Sequence, residues 1–276
     1  MPSRILLKTT IETTEDDWHV GRFALLADEL RKAGHNVTAR DRDPDESGND
    51  RDLTKLDDYD QLWLLAVDVG DGLTDADAEA VRAFHEGGGG LYLARDHQNL
   101  GSSLLRLGAI GRTQCFQSAN PEPDATRHRI DDTETAAISW PNYHSGSNGD
   151  VQSVTAADPV HPVARNLRLL PAHPHEGTVT VPAELADHAR VILSGKSALS
   201  GRDFAIAVAV EPHDDAGPMI ADGSFHHIAD YNWNPDVGCP SFVEEPCGRS
   251  VIDDQAANSE VRRYATALAG WLGGDA

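Results

Sequence analysis

Short apolar runs at residues 5–10, 36–39, 61–67 and 91–94 alternate with stretches whose apolar positions recur at helical spacing. The run at 61–67 is apolar without alternation, as expected of a strand covered on both faces. After the first run the acidic loop 12–17 favours a helix start. Val20, Phe23, Ala24, Ala27 and Leu30 then recur at helical spacing, and Gly34 supplies a stop. Residues 41–60 are polar and acidic, the pattern of a solvated connection. Thr74-Asp75-Ala76-Asp77 reads as a capping arrangement for a helix that ends at Gly87-Gly88-Gly89-Gly90. The fourth run leads into the turn Arg95-Asp96-His97, and a helix is predicted from there through Leu107. Strands and helices alternating in this way predict right-handed βαβ units, hence an α/β fold with a mostly parallel sheet.

The regular pattern stops near residue 108. From 108 to 178 the chain is rich in Pro, Asn, Ser and His, and it reads as a long, loop-rich insertion within a single domain spanning 1–276. A structureless stretch of that length inside a compact domain is usually functional. Strand-like runs return at 189–194, 204–210 and 219–222, an irregular loop follows at 231–251, and an amphipathic helix closes the chain at 255–272. No internal repeat and no linker divides it.

Composition narrows the function classes. A formal charge of −22 argues against nucleic-acid binding, which needs cationic cover for phosphates. Asp outnumbers Glu, and lysine occurs only at Lys8, Lys32, Lys55 and Lys196, a balance that fits a salt-adapted cytoplasmic protein or a high-GC source. No run of about 18 apolar residues exists, so no membrane span is expected. Met1-Pro2-Ser3-Arg4 leads directly into a strand, without the apolar region of a signal peptide. Cys115, Cys239 and Cys247 are scattered and odd in number, which suggests a reducing cytosol. The glycine run precedes its strand and lacks GxGxxG spacing, so no nucleotide cofactor is expected.

Candidate chemistry gathers in the polar loops. At the turn after the fourth strand, Asp96 can serve as a base or metal ligand, His97 as a proton shuttle and Arg95 as a clamp for a polar substrate. Equally, Asp96 can cap the next helix with Arg95 paired to it. Trp18, His19 and Arg22 follow the first strand and can line the same sheet edge, or simply begin a helix. His173 and His175, spaced i, i+2, share a face if extended. With Glu176 or a distant third histidine they can hold one divalent, zinc-like ion that leaves a position open for water. Trp140-Pro141-Asn142-Tyr143-His144 has the mix of a lid, with Tyr143 and His144 as substrate contacts, or of a self-packed loop. His226 and His227 follow a core strand and can act as acid/base groups oriented by Asp230.

Several of these segments resemble the ThuA-like (trehalose utilisation) branch of the class I glutamine amidotransferase-like superfamily. The residues that carry the resemblance are the first strand and its helix, Ala83-Phe84-His85-Glu86-Gly87-Gly88-Gly89-Gly90-Leu91, His161-Pro162-Val163-Ala164-Arg165-Asn166-Leu167, and Asp222-Gly223-Ser224-Phe225-His226-His227. The resemblance implies a flavodoxin-like three-layer fold and places His226 or His227 at the superfamily's catalytic histidine. It fails at the nucleophile: the turn carries Arg95 or Asp96 where amidotransferases carry Cys. His173-Pro174-His175-Glu176 echoes the family's His-Pro-Glu but precedes the last three strands.

Two functions are therefore carried forward. One is an enzyme of hydrolase, lyase or isomerase type acting on a small polar, sugar-like molecule by His/Asp acid–base chemistry, with or without a metal. The other is a small-ligand-binding or scaffold protein that has lost the nucleophile. A homo-oligomer is compatible with either; nucleic acid and membrane are not expected partners.

Overall fold

The computed structural model describes residues 1–132, 135 and 137–274. Its centre is an eight-stranded sheet. The strands are β1 (Arg4–Thr9), β2 (Asn36–Arg40), β3 (Gln61–Leu65), β4 (Gly90–Ala94), β5 (Val151–Ser153), β6 (Thr155–Ala156), β7 (Leu169–Pro171), β8 (Ala189–Lys196), β9 (Asp203–Val210) and β10 (Met219–Asp222). The central order is β2-β1-β3-β4-β10-β9-β8-β6, while β5 and β7 pair as a separate ribbon. From β2 to β10 every neighbour is parallel. Beyond β10 the pairs turn antiparallel. This is an α/β fold with the flavodoxin-like order at its parallel end, in which ligands bind outside the carboxyl ends of the strands.

The helices are α1 (Ala24–Lys32), α2 (Asp75–Glu86), α3 (Asp230–Trp233), α4 (Ser250–Asp253) and α5 (Gln255–Leu272). Alternation along the buried strands assigns the two faces. Trp63 and Leu65 of β3 share a core with α1 and α5, whereas Leu62 and Leu64 share one with α2. The reciprocal Thr74–Asp77 capping box starts α2, with Asp77 N donating to Thr74 Oγ1 at 3.1 Å and Thr74 N donating to Asp77 Oδ2 at 2.9 Å. Gly90 shows what the glycine run does: a Cβ there would stand 2.4 Å from the Leu272 carbonyl, so only glycine lets α5 lie against β4.

Three expectations change. The helix predicted after the turn is a 3-10 run, Ser102–Leu107, because Gly101 and Gly108 at its ends take positive φ (74° and 67°). The helix expected from Trp18 starts as a 3-10 turn at Val20–Phe23 before becoming α1. The connection 41–60 is not simply solvated: Asp50 is buried against the equally buried Lys8 at 3.0 Å, and Leu53 and Leu56 are buried too. Within 108–178, Phe116, Tyr143 and Leu170 are fully buried, and their segments fold over the carboxyl edge of the sheet.

Candidate metal centre

Strands β4 and β10 are neighbours although more than a hundred residues separate them in the chain, so the turns that follow them emerge side by side. The turn after β4 delivers Asp96. The turn after β10 delivers His226. The segment after β7 adds His173, and its backbone can approach because residue 177 is glycine: a Cβ there would lie 2.4 Å from the Gly223 carbonyl and 2.9 Å from that of Asp96. The three side chains converge. His173 Nε2 lies 3.2 Å from Asp96 Oδ1, and His226 Nε2 lies 3.5 Å from Asp96 Oδ2. All three residues are buried, and their ligand atoms lie within 4.8 Å of one another, close enough to hold one metal ion.

The hydrogen bonds behind the histidines fix which nitrogen faces inward. The Asn232 amide nitrogen donates to the Ala172 carbonyl and to Asn148 Oδ1, both at 3.0 Å. The Asn232 oxygen must therefore face His226 Nδ1, 3.2 Å away, and the Asn148 oxygen His173 Nδ1, 3.0 Å away. Each Nδ1 is thus a donor, and each Nε2 carries a lone pair. Two lone pairs pointing at a carboxylate is an arrangement of acceptors only, and His173 Nε2 and Asp96 Oδ1 have no hydrogen-bond partner. A divalent cation placed between them would resolve it. Burial alone would push the Asp96 carboxyl up, and only as charged imidazoliums would His97, His173 and His226 hold it well below the usual range. Burial, with His226 adding, depresses His173 far more than Asp96 raises it. The donor set is ionised carboxylate plus neutral imidazole, with amides orienting the imidazoles from behind.

A cavity of about 380 Å³ opens on this centre, with Asp96, His97, His175 and His226 on its floor. His97 Nε2 lies 3.4 Å from Asp96 Oδ2, and burial draws its pKa down against the pull of Asp96. His175 is held between carboxylates, with Nδ1 3.0 Å from Asp132 and Nε2 2.9 Å from Glu245. Trp18 packs edge-on against the His226 ring at 4.8 Å. A larger hollow of about 680 Å³ lies at the opposite edge, around Met1, Pro2 and Gly87 to Gly89, but neither histidine nor cysteine lines it.

The other expected site residues stand elsewhere. His227 is fully buried between Asp222 (2.7 Å) and Glu176 (3.1 Å) and does not line the cavity. Burial would lower its pKa, yet these two carboxylates raise it well above the usual value. Glu176, expected beside His173 as a ligand, is engaged by His227, Ser145 and Gln152. Arg95 is fully buried, lies over the Phe116 ring and donates to the Cys115 and Gln98 carbonyls instead of reaching a substrate or pairing with Asp96. Burial draws its pKa down to about 10. His19 caps the Val20–Phe23 turn, and Arg22 donates to the Glu15 carbonyl at 3.4 Å. Tyr143 is buried on Phe204 and donates to the Arg127 carbonyl; His144 is half-buried beside it, outside the cavity lining. Asp230, expected to orient a histidine, accepts from the Leu25 amide at 2.8 Å and so caps α1. Burial pushes its pKa up to about 6. Asn148, Asn232, Asp132 and Glu245 were not singled out in the sequence, and no local signal marks them.

No family model matches the chain, and no curated protein matches it. Solved structures do. The mmIFT52 N-terminal domain is similar with a TM-score of 0.56 at 12% identity, over 98% of this chain and 97% of that one. The cytoplasmic protein STM1381 from Salmonella typhimurium LT2 gives 0.53 at 8% identity, over 96% and 99%. A ThuA-like protein from Bacteroides uniformis ATCC 8492 gives 0.49 at 15% identity, over 98% and 90%. ThuA-like proteins and class I glutamine amidotransferase-like domains both stand among the matching structures. At these identities the likeness shows the fold alone. Among the described residues, no helix is long and apolar enough to cross a membrane.

Proposed function

We propose that this protein is a metal-dependent hydrolase acting on a small polar molecule of sugar-like size, with one divalent cation held by Asp96, His173 and His226. The observation that carries the reading is the pair of inward lone pairs on His173 and His226, set by Asn148 and Asn232 and facing the Asp96 carboxylate across 3.2 and 3.5 Å. A cation bound there supplies a Lewis acid that polarises a substrate carbonyl or a water, and three protein ligands leave a position open for it.

The chain's own groups supply the rest. His97 reaches the centre from the Asp96 side and can take a proton at Nε2. A proton on either nitrogen of His175 finds a carboxylate, so this ring can pass a proton between Asp132 and Glu245, of which Glu245 lines the cavity. Trp18, by covering His226, excludes water from one side of the centre. His227 is a structural cation of the core in this account. The three free cysteines fit the same reading in a reducing cytoplasm.

The test is metal content and affinity in protein purified without a histidine tag. Expected are one zinc-like ion per chain by elemental analysis and its loss in Asp96→Ala and in His226→Ala. No metal bound by the wild type under metal-replete conditions would refute the reading and favour a ligand-binding protein without catalysis.

A further inference from the structure

Among the described residues, the cavity that opens on the centre carries no lysine or arginine in its lining, whereas Asp17 and Glu245 stand in it. The Arg95 guanidinium, on the turn that bears Asp96, is buried and committed to the Cys115 and Gln98 carbonyls. Phosphoryl and sulfuryl groups, which need cationic clamps or bidentate arginine, find no partner here beyond the proposed cation. The formal charge of −22 adds a general repulsion of anions. The rim is apolar. Val69 and Phe242, on two different loops, line the cavity and remain 77% and 56% exposed. Side chains so exposed contribute little to the core, so the fold gives no reason for apolar residues at both positions. Leu100, Ile138 and Val243 continue the same wall.

From this juxtaposition we propose that the substrate is a neutral acyl compound, a carboxylic ester or amide, whose apolar group lies between Val69 and Phe242 while its carbonyl faces the Asp96–His173–His226 centre. The proposal rests on the hydrolase reading above and specifies its substrate class. Water adds to the carbonyl carbon, a C–O bond forms, and the bond to the alcohol or amine oxygen or nitrogen breaks. One proton of the attacking water passes to the departing oxygen or nitrogen, so that a carboxylic acid and an alcohol or amine result. An amine so released is a cation, and Asp17 and Glu245 can receive it, while the carboxylate product is repelled by the same groups.

The experiment uses the zinc-loaded full chain with 4-nitrophenyl acetate, 4-nitrophenyl butyrate and 4-nitrophenyl phosphate. Asp96→Asn, which weakens the centre, serves as the background, and calorimetry with zinc alone is run on every sample. Two extra methylenes against an apolar wall are expected to favour butyrate over acetate about tenfold in kcat/KM. Phe242→Ala and, separately, Val69→Ser should shrink that preference by raising KM for butyrate, with kcat kept. Both residues are exposed, so neither variant endangers the fold. Faster turnover of the phosphate, equal use of acetate and butyrate, or no turnover above Asp96→Asn while zinc binds stoichiometrically would each overturn the substrate class and leave the metal centre standing. Failure of the wild type to bind zinc would remove both readings, and the calorimetry distinguishes the two failures.

Discussion

Replacing Asn148 by alanine probes the metal centre without touching a ligand. Asn148 Oδ1 lies 3.0 Å from His173 Nδ1, and the residue is 1% exposed, so no bulk water can take its place as acceptor. The variant leaves His173 two choices. It can keep its proton on Nδ1, buried and unpaired, at a cost of about 1–3 kcal/mol. Or it can move the proton to Nε2, which removes the lone pair that faces Asp96. Either way zinc affinity falls, and at about 1.4 kcal/mol per decade the expected loss is about 10–100-fold. Asn232→Ala should cost more, because Asn232 both accepts from His226 Nδ1 at 3.2 Å and, through its amide nitrogen, orients Asn148 at 3.0 Å. Asn148→Asp keeps an acceptor at the same place and should retain most of the affinity. Calorimetric zinc titration reads the effect, and thermal unfolding of the metal-free variants separates it from misfolding. Wild-type affinity in both Asn148→Ala and Asn232→Ala, alongside a large loss in His173→Ala, would refute the tautomer argument.

Burial, with Arg190 adding, draws His161 from 6.5 down to about 4. Below pH 6.5 the unfolded chain binds the proton first, so this residue's contribution is full above that pH and is lost as pH falls towards 4, by at most about 3 kcal/mol. Glu211, 3.5 Å from Nε2, lessens the loss. Urea unfolding of wild type and His161→Asn between pH 4 and 7 should show the shallower dependence in the variant, and parallel curves would contradict the assignment. Tyr92 and Tyr264 donate to Asp222 Oδ2 at 3.0 and 2.9 Å, in the network that holds His227. Tyr264→Phe should cost about 1.5–3 kcal/mol, seen as a fall of about 5 °C in Tm; an unchanged Tm would show the bond to be dispensable. Gly177→Ala forces a Cβ to 2.4 Å from the Gly223 carbonyl, and backbone cannot yield as a flexible side chain does. Expected are a loss of about 1–3 kcal/mol in stability and weaker zinc binding, because the turns bearing Asp96 and His226 are pushed apart. Undiminished binding would mean that the close approach does not shape the centre.

Strands β1–β4 and β8–β10 and helix α5 were legible because their signals are local, whereas β5, β6 and β7 fall within 108–178, which reads as loop. A continuous apolar run marks a doubly covered strand, and one amphipathic stripe marks Gln255–Leu272 to the residue. The 3-10 character of Ser102–Leu107 was not legible from spacing, since it depends on the flanking left-handed glycines. Asp96 and His226 could be singled out by type and position after a strand, and His173 by its i, i+2 spacing to His175. What could not be read was their association, which comes from the β4–β10 pairing and from the approach of the Gly177 backbone. Glu176 illustrates the limit of nearness in sequence. The chain turns at Pro174 and His175, and Glu176 emerges in a bridge with Tyr143 that directs its carboxylate to His227. Asn148 and Asn232 act across 84 residues of chain, and an isolated Asn in a loop carries no mark of such a role.

The turn after β4 carries no thiol, and Cys115, whose carbonyl accepts from Arg95 of that turn, is no substitute. Cys115 is fully buried, and burial, with Glu122 adding, pushes its thiol far above the usual value. A thiolate there would be neither formed nor reachable, so Cys115 offers no nucleophile. The turn itself holds a side chain at the carboxyl edge of two adjacent strands, β4 and β10. A carboxylate at that point needs positive charge to be tolerated, and the neighbouring histidines arrive with their lone pairs inward, so that they add acceptors and no charge. On the proposed reading a cation bound there takes the place of a nucleophile. Exchanging Asp96 for Cys should not restore thiol chemistry: the new thiol would face two imidazole lone pairs and bind zinc as a ligand, a result that alkylation with iodoacetamide before and after zinc removal would reveal as protection by the metal. Equal alkylation in both states would argue that the turn is an empty remnant.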